Sequence, residues 1–226
     1  MCYSLKSSIL SYSLGMISSI FCFSTKQIVL GTLIFFYSQM QLSELIIWYG
    51  IDHNNDNINK IGTAFGKYTL PSHNIAIGLG IILFILLVSK EKLTFKHFIP
   101  LIIGILFYLF IVLYIYNNST YPSITKPRDS EQPQCSSNRL QWPYPYYWYV
   151  YGFVISIIIS MLYVKPVKTQ LFITGAFLIT LIVTYMFFNA KTVGSVWCFS
   201  SAILAPVIAI IGYIIIKDKN TNEFLT

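Results

Sequence analysis

Apolar residues run in long blocks along this chain, separated by shorter polar stretches rich in Lys, Asn and Ser. Seven blocks reach roughly 18–22 residues, the length at which an α-helix crosses hydrocarbon. They lie at about 7–24, 27–51, 71–89, 98–116, 144–164, 168–189 and 195–216. Inside a bilayer the backbone must satisfy its own hydrogen bonds, so blocks of this length are helices. The pattern predicts an all-α, polytopic membrane protein: one bundle of seven transmembrane helices over residues 1–226. The connections are short except at 52–70 and 117–143, which leaves no room for a separate soluble domain. The third block has the least definite start. Two starts stay open for it: Pro71 itself, after a loop at 52–70, or an upstream extension through Ile58 to Leu70 with Pro71 as a kink.

Composition strengthens this reading. The chain is 55% hydrophobic and only 10% charged, against about 25% charged in ordinary globular chains. A net charge of +7 could suggest nucleic acid as a partner. The Lys residues instead flank the apolar blocks and form no soluble basic face, so the partner is the lipid bilayer and not nucleic acid. Oligomerisation is not readable from the pattern.

Charge also orients the bundle. Lys26, Lys90, Lys92, Lys96, Lys165, Lys168, Lys217 and Lys219 fall in short connections and the tail on one side. The positive-inside rule weighs density in short loops, so that side is expected to be cytoplasmic. The N-terminus is then extracytoplasmic and the C-terminus cytoplasmic. The loop 117–143 would lie outside, where Asn117 and Asn118 start two overlapping glycosylation triplets in Asn117-Asn118-Ser119-Thr120. The first block is expected to be retained and not cleaved as a signal peptide: Ser11, Ser13, Ser18 and Ser19 interrupt it and no small-residue cleavage site follows. Ser4, Ser8, Ser11, Gly15, Ser18 and Cys22 recur every three or four residues. They predict a helix face on which another helix packs closely.

Candidate chemistry gathers at the extracytoplasmic end. Glu44 is the one acidic residue in a predicted span, and a carboxylate in hydrocarbon costs at least ~2.5 kcal/mol. Tyr37, Gln41, Glu44 and Trp48 share one face of the second helix, with Glu44 about 10 Å below the helix end at Ile51. Trp197 and Cys198 enter the last span from the same side. That span carries the small-residue stripe Cys198, Ala202, Ala205, Ala209 and Gly212, and Pro206. Cys2, Ser4, Cys135, His53 and His73, the last at the head of the third span, project to that side too. Cys22 and His97 fall at the other end. No Cys-x-x-Cys or His-Glu-x-x-His spacing occurs, so the grouping rests on topology.

Met1-Cys2-Tyr3-Ser4, Gln41-Leu42-Ser43-Glu44-Leu45-Ile46-Ile47-Trp48 and Ser195-Val196-Trp197-Cys198-Phe199 resemble, as an ordered set, a family of uncharacterised small polytopic membrane proteins of bacteria and large DNA viruses. Members typically open Met-Cys-Phe-Ser, so Tyr3 departs from the pattern. The resemblance implies no established activity. It implies that Cys2, Ser4, Gln41, Glu44, Trp48, Trp197 and Cys198 belong to one design, in a viral or host membrane.

Three functional classes remain open. The first is a binding protein whose outer-leaflet pocket of Glu44, Gln41, Ser4, Trp48, Trp197 and His73 takes a small ligand or ion. Within it, Cys2, Glu44 and Cys198 would suit a soft transition metal. The second is a membrane enzyme using Glu44 as base and a thiol as nucleophile, which the missing His partner disfavours. The third is a structural or receptor-like protein. It lacks an Asp-Arg-Tyr after the third block, an Asn-Pro-x-x-Tyr in the last, and a Lys there for retinal. Disulfide, metal and plain packing are all open for Cys2, Cys135 and Cys198.

Overall fold

The computed structural model describes residues 4–89, 91–117, 123–127, 140–141 and 193–217, with isolated helical positions between 152 and 186. At 115, 127, 141, 193–199 and 215–217 it describes the backbone only. Helix α1 spans Leu5–Ser24 and α2 spans Ile28–Asp52. Helix α3 spans Asp56–Leu87, and α4 (Phe95–Leu109) runs on as a π-helical segment, Phe110–Tyr116. A two-residue antiparallel ladder follows, with β1 (Lys126–Pro127) paired to β2 (Leu140–Gln141). Helix α5 spans Val193–Lys217.

The architecture is all-α, but the expected bundle of seven transmembrane helices is not upheld. Among the described residues there are five helices, and four stretches are long and apolar enough to cross a membrane: Leu5–Ser24, Ile28–Asp52, Asp56–Leu87 and Phe95–Tyr114. The apolar stretch described in α5, Ser200–Ile214, is shorter than a span. The expected spans 144–164 and 168–189 lie for the most part outside the described residues. The stretch 52–70, left open between a loop and an upstream extension of the third block, is helical from Asp56 onward. Only a three-residue turn, His53–Asn55, parts α2 from α3. Asn55 caps the new helix: its side chain accepts from the N–H groups of Asn57 and Ile58 at 3.1 and 3.2 Å. The helix then runs through Pro71 without a break.

Tight turns make α1, α2 and α3 antiparallel neighbours. Lys26 and Asn54 take left-handed backbone angles in those turns (φ 62° and 50°). The buried residues of α1 are Ser8, Ser11, Gly15, Ser18, Ser19 and Cys22, which is the small-residue face the sequence predicts with Ser19 added and Ser4 only half-buried. Gly15 lies against Ser38, and Ser19 Oγ donates to the Gly31 carbonyl at 2.8 Å. On the other side of α2, Ser43 Oγ donates to the Gly62 carbonyl at 2.8 Å. A methyl group at Gly62 would come within 2.9 Å of the Ile47 backbone nitrogen, so this approach needs glycine. Helix α4 crosses α3 where Gly78 meets the Leu101 backbone. The C-terminal half of α5 packs on α1 and α2, tied by Gln27 Nε2 donating to the Ala209 carbonyl at 3.2 Å.

These contacts sort the molecule into two ends. The Thr25–Gln27 turn, the link 88–94 and the C-terminus of α5 lie at one. Ser4, the His53–Asn55 turn and Thr125 lie at the other. Helix α3 has 32 residues, about 48 Å at 1.5 Å per residue, against about 30 Å of hydrocarbon. Its last turns are continuously apolar, so the excess falls in the first three turns. Those turns carry Asp56, Asn57, Asn59, Lys60, Thr63 and Lys67.

Candidate functional site

Helix α2 buries Tyr37, Gln41, Glu44 and Trp48 on one face, as their spacing predicts. Gln41 and Glu44 have no exposed surface at all. The small face of α1 makes this burial possible, because only Ser and Gly side chains stand between the two backbones. Ser11 Oγ donates to Gln41 Oε1 at 2.5 Å. One turn onward along each antiparallel helix brings Ser8 of α1 level with Glu44 of α2. A further turn brings Ser4 level with Trp48.

The seam at this level is rich in donors. Ser8 Oγ, Gln41 Nε2 and Trp48 Nε1 are buried and have no hydrogen-bond partner among the described residues. Buried polar atoms left this way are rare, and they often mark water, an ion or a ligand. On the α3 side, the Tyr37 and His73 rings stack at 4.3 Å with 14° between planes. His73 Nε2 lies 3.0 Å from the Phe36 carbonyl. A carbonyl only accepts, so Nε2 carries the proton.

The other predicted site residues are placed as follows. Ser4 is the N-cap of α1, and its hydroxyl accepts from the Ser7 N–H at 3.4 Å. His73 does not stand at the head of a span: it is fully buried in the middle of α3, because that helix starts at Asp56. His53 is exposed at the end of α2, stacked on Tyr49 at 4.1 Å. Cys22 is a free thiol packed against Gly31. His97 opens α4 at the opposite end from Glu44; its Nδ1 accepts from the Thr94 N–H at 3.1 Å, and Nε2 faces Glu91 at 3.8 Å. Asn117 is exposed at the end of the π segment. Cys2, Cys135, Asn118 and the side chains of Trp197 and Cys198 lie outside the described residues. Among the described residues no group of three His, Cys, Asp or Glu side chains is placed to hold a metal ion.

A second polar cluster escaped the sequence reading. Asn59 and Thr63 of α3 are buried with Thr125, which follows the π segment in the chain. Asn59 Nδ2 donates to the Thr125 carbonyl at 2.9 Å, and the Thr125 N–H lies 3.0 Å from both Asn59 Oδ1 and Thr63 Oγ1. The i, i+4 spacing of Asn59 and Thr63 was the available signal. It is informative only once 56–70 is known to be helical. Comparison with protein-family models, with curated proteins and with solved structures finds no match for this chain.

Proposed function

We propose that this is a multi-pass integral membrane protein that binds a small polar ligand or ion in the α1–α2 seam at Glu44. The observation that carries the reading is the complete burial of the Glu44 carboxyl group in a helix long enough to cross a membrane. Close contact of α1, α2 and α3 is achieved by Gly15, Gly62 and the Ser hydroxyls, and an amide or Met would fill the same volume without the ~2.5 kcal/mol penalty. The donors of Ser8, Gln41 and Trp48 favour a ligand that presents oxygen. Amide and indole nitrogens do not ligate metals, so a soft metal would need thiolates from Cys2 and Cys198 to complete its set.

Lys26, Lys92 and Lys96 all fall at the end of the bundle away from Glu44. The positive-inside rule makes that end cytoplasmic, with Glu44 toward the outer surface.

Native mass spectrometry and metal analysis of full-length protein, purified in mild detergent without added metal, test the reading. A bound small molecule or ion is expected in the wild type and in Cys22→Ser, and is expected to be lost in Glu44→Gln. A wild type that carries nothing, with Glu44→Gln at least as stable, would favour a purely structural role. The Ser11–Gln41 and Ser43–Gly62 ties are the observations behind that second reading.

A further inference from the structure

We propose that the segment 123–127 is a strap, latched to α3 at Asn59 and Thr63, that controls aqueous access to Glu44. The access clause rests on the reading of Glu44 given above; the latch does not. Its contacts are concentrated on one residue. Thr125 is fully buried while Lys126 beside it is exposed. The Asn59 side chain treats Thr125 as a neighbouring strand would. Its NH2 group donates to the Thr125 carbonyl, and its carbonyl accepts the Thr125 N–H. Thr63 closes the network: its Oγ1 lies 3.0 Å from Asn59 Oδ1 and 2.7 Å from Thr125 Oγ1. With the Thr63 hydroxyl donating to Asn59 and the Thr125 hydroxyl donating to Thr63, both hydroxyl protons and the Thr125 N–H have acceptors.

Position gives the latch its significance. Asn59 and Thr63 lie on the turns of α3 that exceed the hydrocarbon thickness, so the strap sits at the aqueous end of the bundle. Gly50 of α2 seats this turn: a methyl group there would come within 2.7 Å of the Asn59 backbone nitrogen. The contact of Ser43 with Gly62 places Glu44, the next residue of α2, about one turn from Thr63. The second limb of the strap is held by the ladder from Pro127 to Leu140. Leu140 is fully buried in the same apolar core as Trp48 and Tyr116. The strap therefore sits on the α2–α3 end of the bundle, the end toward which Glu44 and Trp48 lie. A latch of a few neutral hydrogen bonds to a single residue is also weak enough to open.

The test uses full-length protein in lipid nanodiscs with two readouts. One is hydrogen exchange at the Thr125 amide. The other is modification of Glu44 by a water-soluble carbodiimide, located by mass spectrometry. In Asn59→Ala the Thr125 amide is expected to exchange about tenfold faster or more, from the loss of two hydrogen bonds. Glu44 modification is expected to rise in parallel, with α2 amides unchanged. Thr125→Pro removes the N–H that Asn59 and Thr63 accept. With no amide left to follow at that position, its readout is Glu44 modification alone, which should rise as in Asn59→Ala, and it replaces Asn59→Ala if that variant loses protection throughout α2 and α3. An unprotected Thr125 amide in the wild type would overturn the latch. Faster Thr125 exchange with unchanged Glu44 modification would overturn the control of access. Neither readout needs a bound ligand, so failure of the binding reading is seen separately, in the ligand content of Glu44→Gln.

Discussion

At the level of single residues, the molecule depends on small side chains facing polar ones. Ser11 is the donor that satisfies Gln41 Oε1. Ser11→Ala should lower stability by about 1–2 kcal/mol, since it leaves a buried acceptor without its donor. Gly15→Leu should do worse, by about 3 kcal/mol, because the added side chain meets Ser38 across the seam. Unfolding of both variants in detergent, followed by circular dichroism, checks the order as well as the sizes. The polar face of α2 was legible in the sequence, because a 4-3-4 spacing fixes which side chains share a helix face whatever surrounds them. What those side chains touch was not legible. That Ser11 meets Gln41, or that His73 stacks on Tyr37, depends on the register between helices, and no spacing within one helix encodes it.

At the level of elements, α3 is the instructive case. Asp56, Asn57, Asn59, Lys60, Thr63 and Lys67 interrupt the hydropathy, so an apolar count ends the span at Pro71 and leaves a loop before it. The helical signal was there in another form. Asn59, Gly62, Thr63, Gly66, Thr69 and Leu70 are buried at spacings of three and four, but most of them are small or polar and do not register as a stripe. The Asn55 cap marks the true start. Pro71 was legible as a residue within the helix, not a terminator, because membrane helices tolerate proline. The crossing of α3 and α4 yields a prediction. At Gly78 the obstacle is the Leu101 backbone, which cannot rotate aside. Gly78→Ala should therefore cost about 2 kcal/mol, while the same change at an open position costs little. Comparing thermal midpoints of Gly78→Ala and Gly175→Ala tests this, since Gly175 has nothing near its Cβ position.

On the scale of the whole molecule, block counting captured the class and missed the number. Four described stretches are spans by length and apolarity, and each coincides with a predicted block apart from its ends. The fifth and sixth blocks fall largely outside the described residues, and the described apolar part of α5 is too short. The antiparallel contacts also set which connections share an end of the bundle, without any appeal to charge. The Asn54 turn and Leu93 must face opposite sides of the membrane. In a cysteine-free background, Asn54→Cys and Leu93→Cys should react with an impermeant maleimide from opposite faces of sealed vesicles. Labelling of Leu93→Cys from the cytoplasmic face would in addition support the charge-based orientation. Labelling of both from one face would refute the antiparallel arrangement.

The unequal helix lengths have a consequence for the choice of membrane. The apolar stretches of α1 and α4 are both 20 residues long, about 30 Å, and they match an average bilayer closely. Helix α3 exceeds them on one side only. A thinner bilayer would simply leave more of α3 in water, where its Lys and Asn side chains are at home. A thicker one would draw Lys60, Lys67 and the Asn59 turn among the acyl chains, at a cost that rises with each ångström. Tolerance to lipid chain length should therefore be lopsided. The fold should survive in short-chain phosphatidylcholine and lose stability as the chains lengthen.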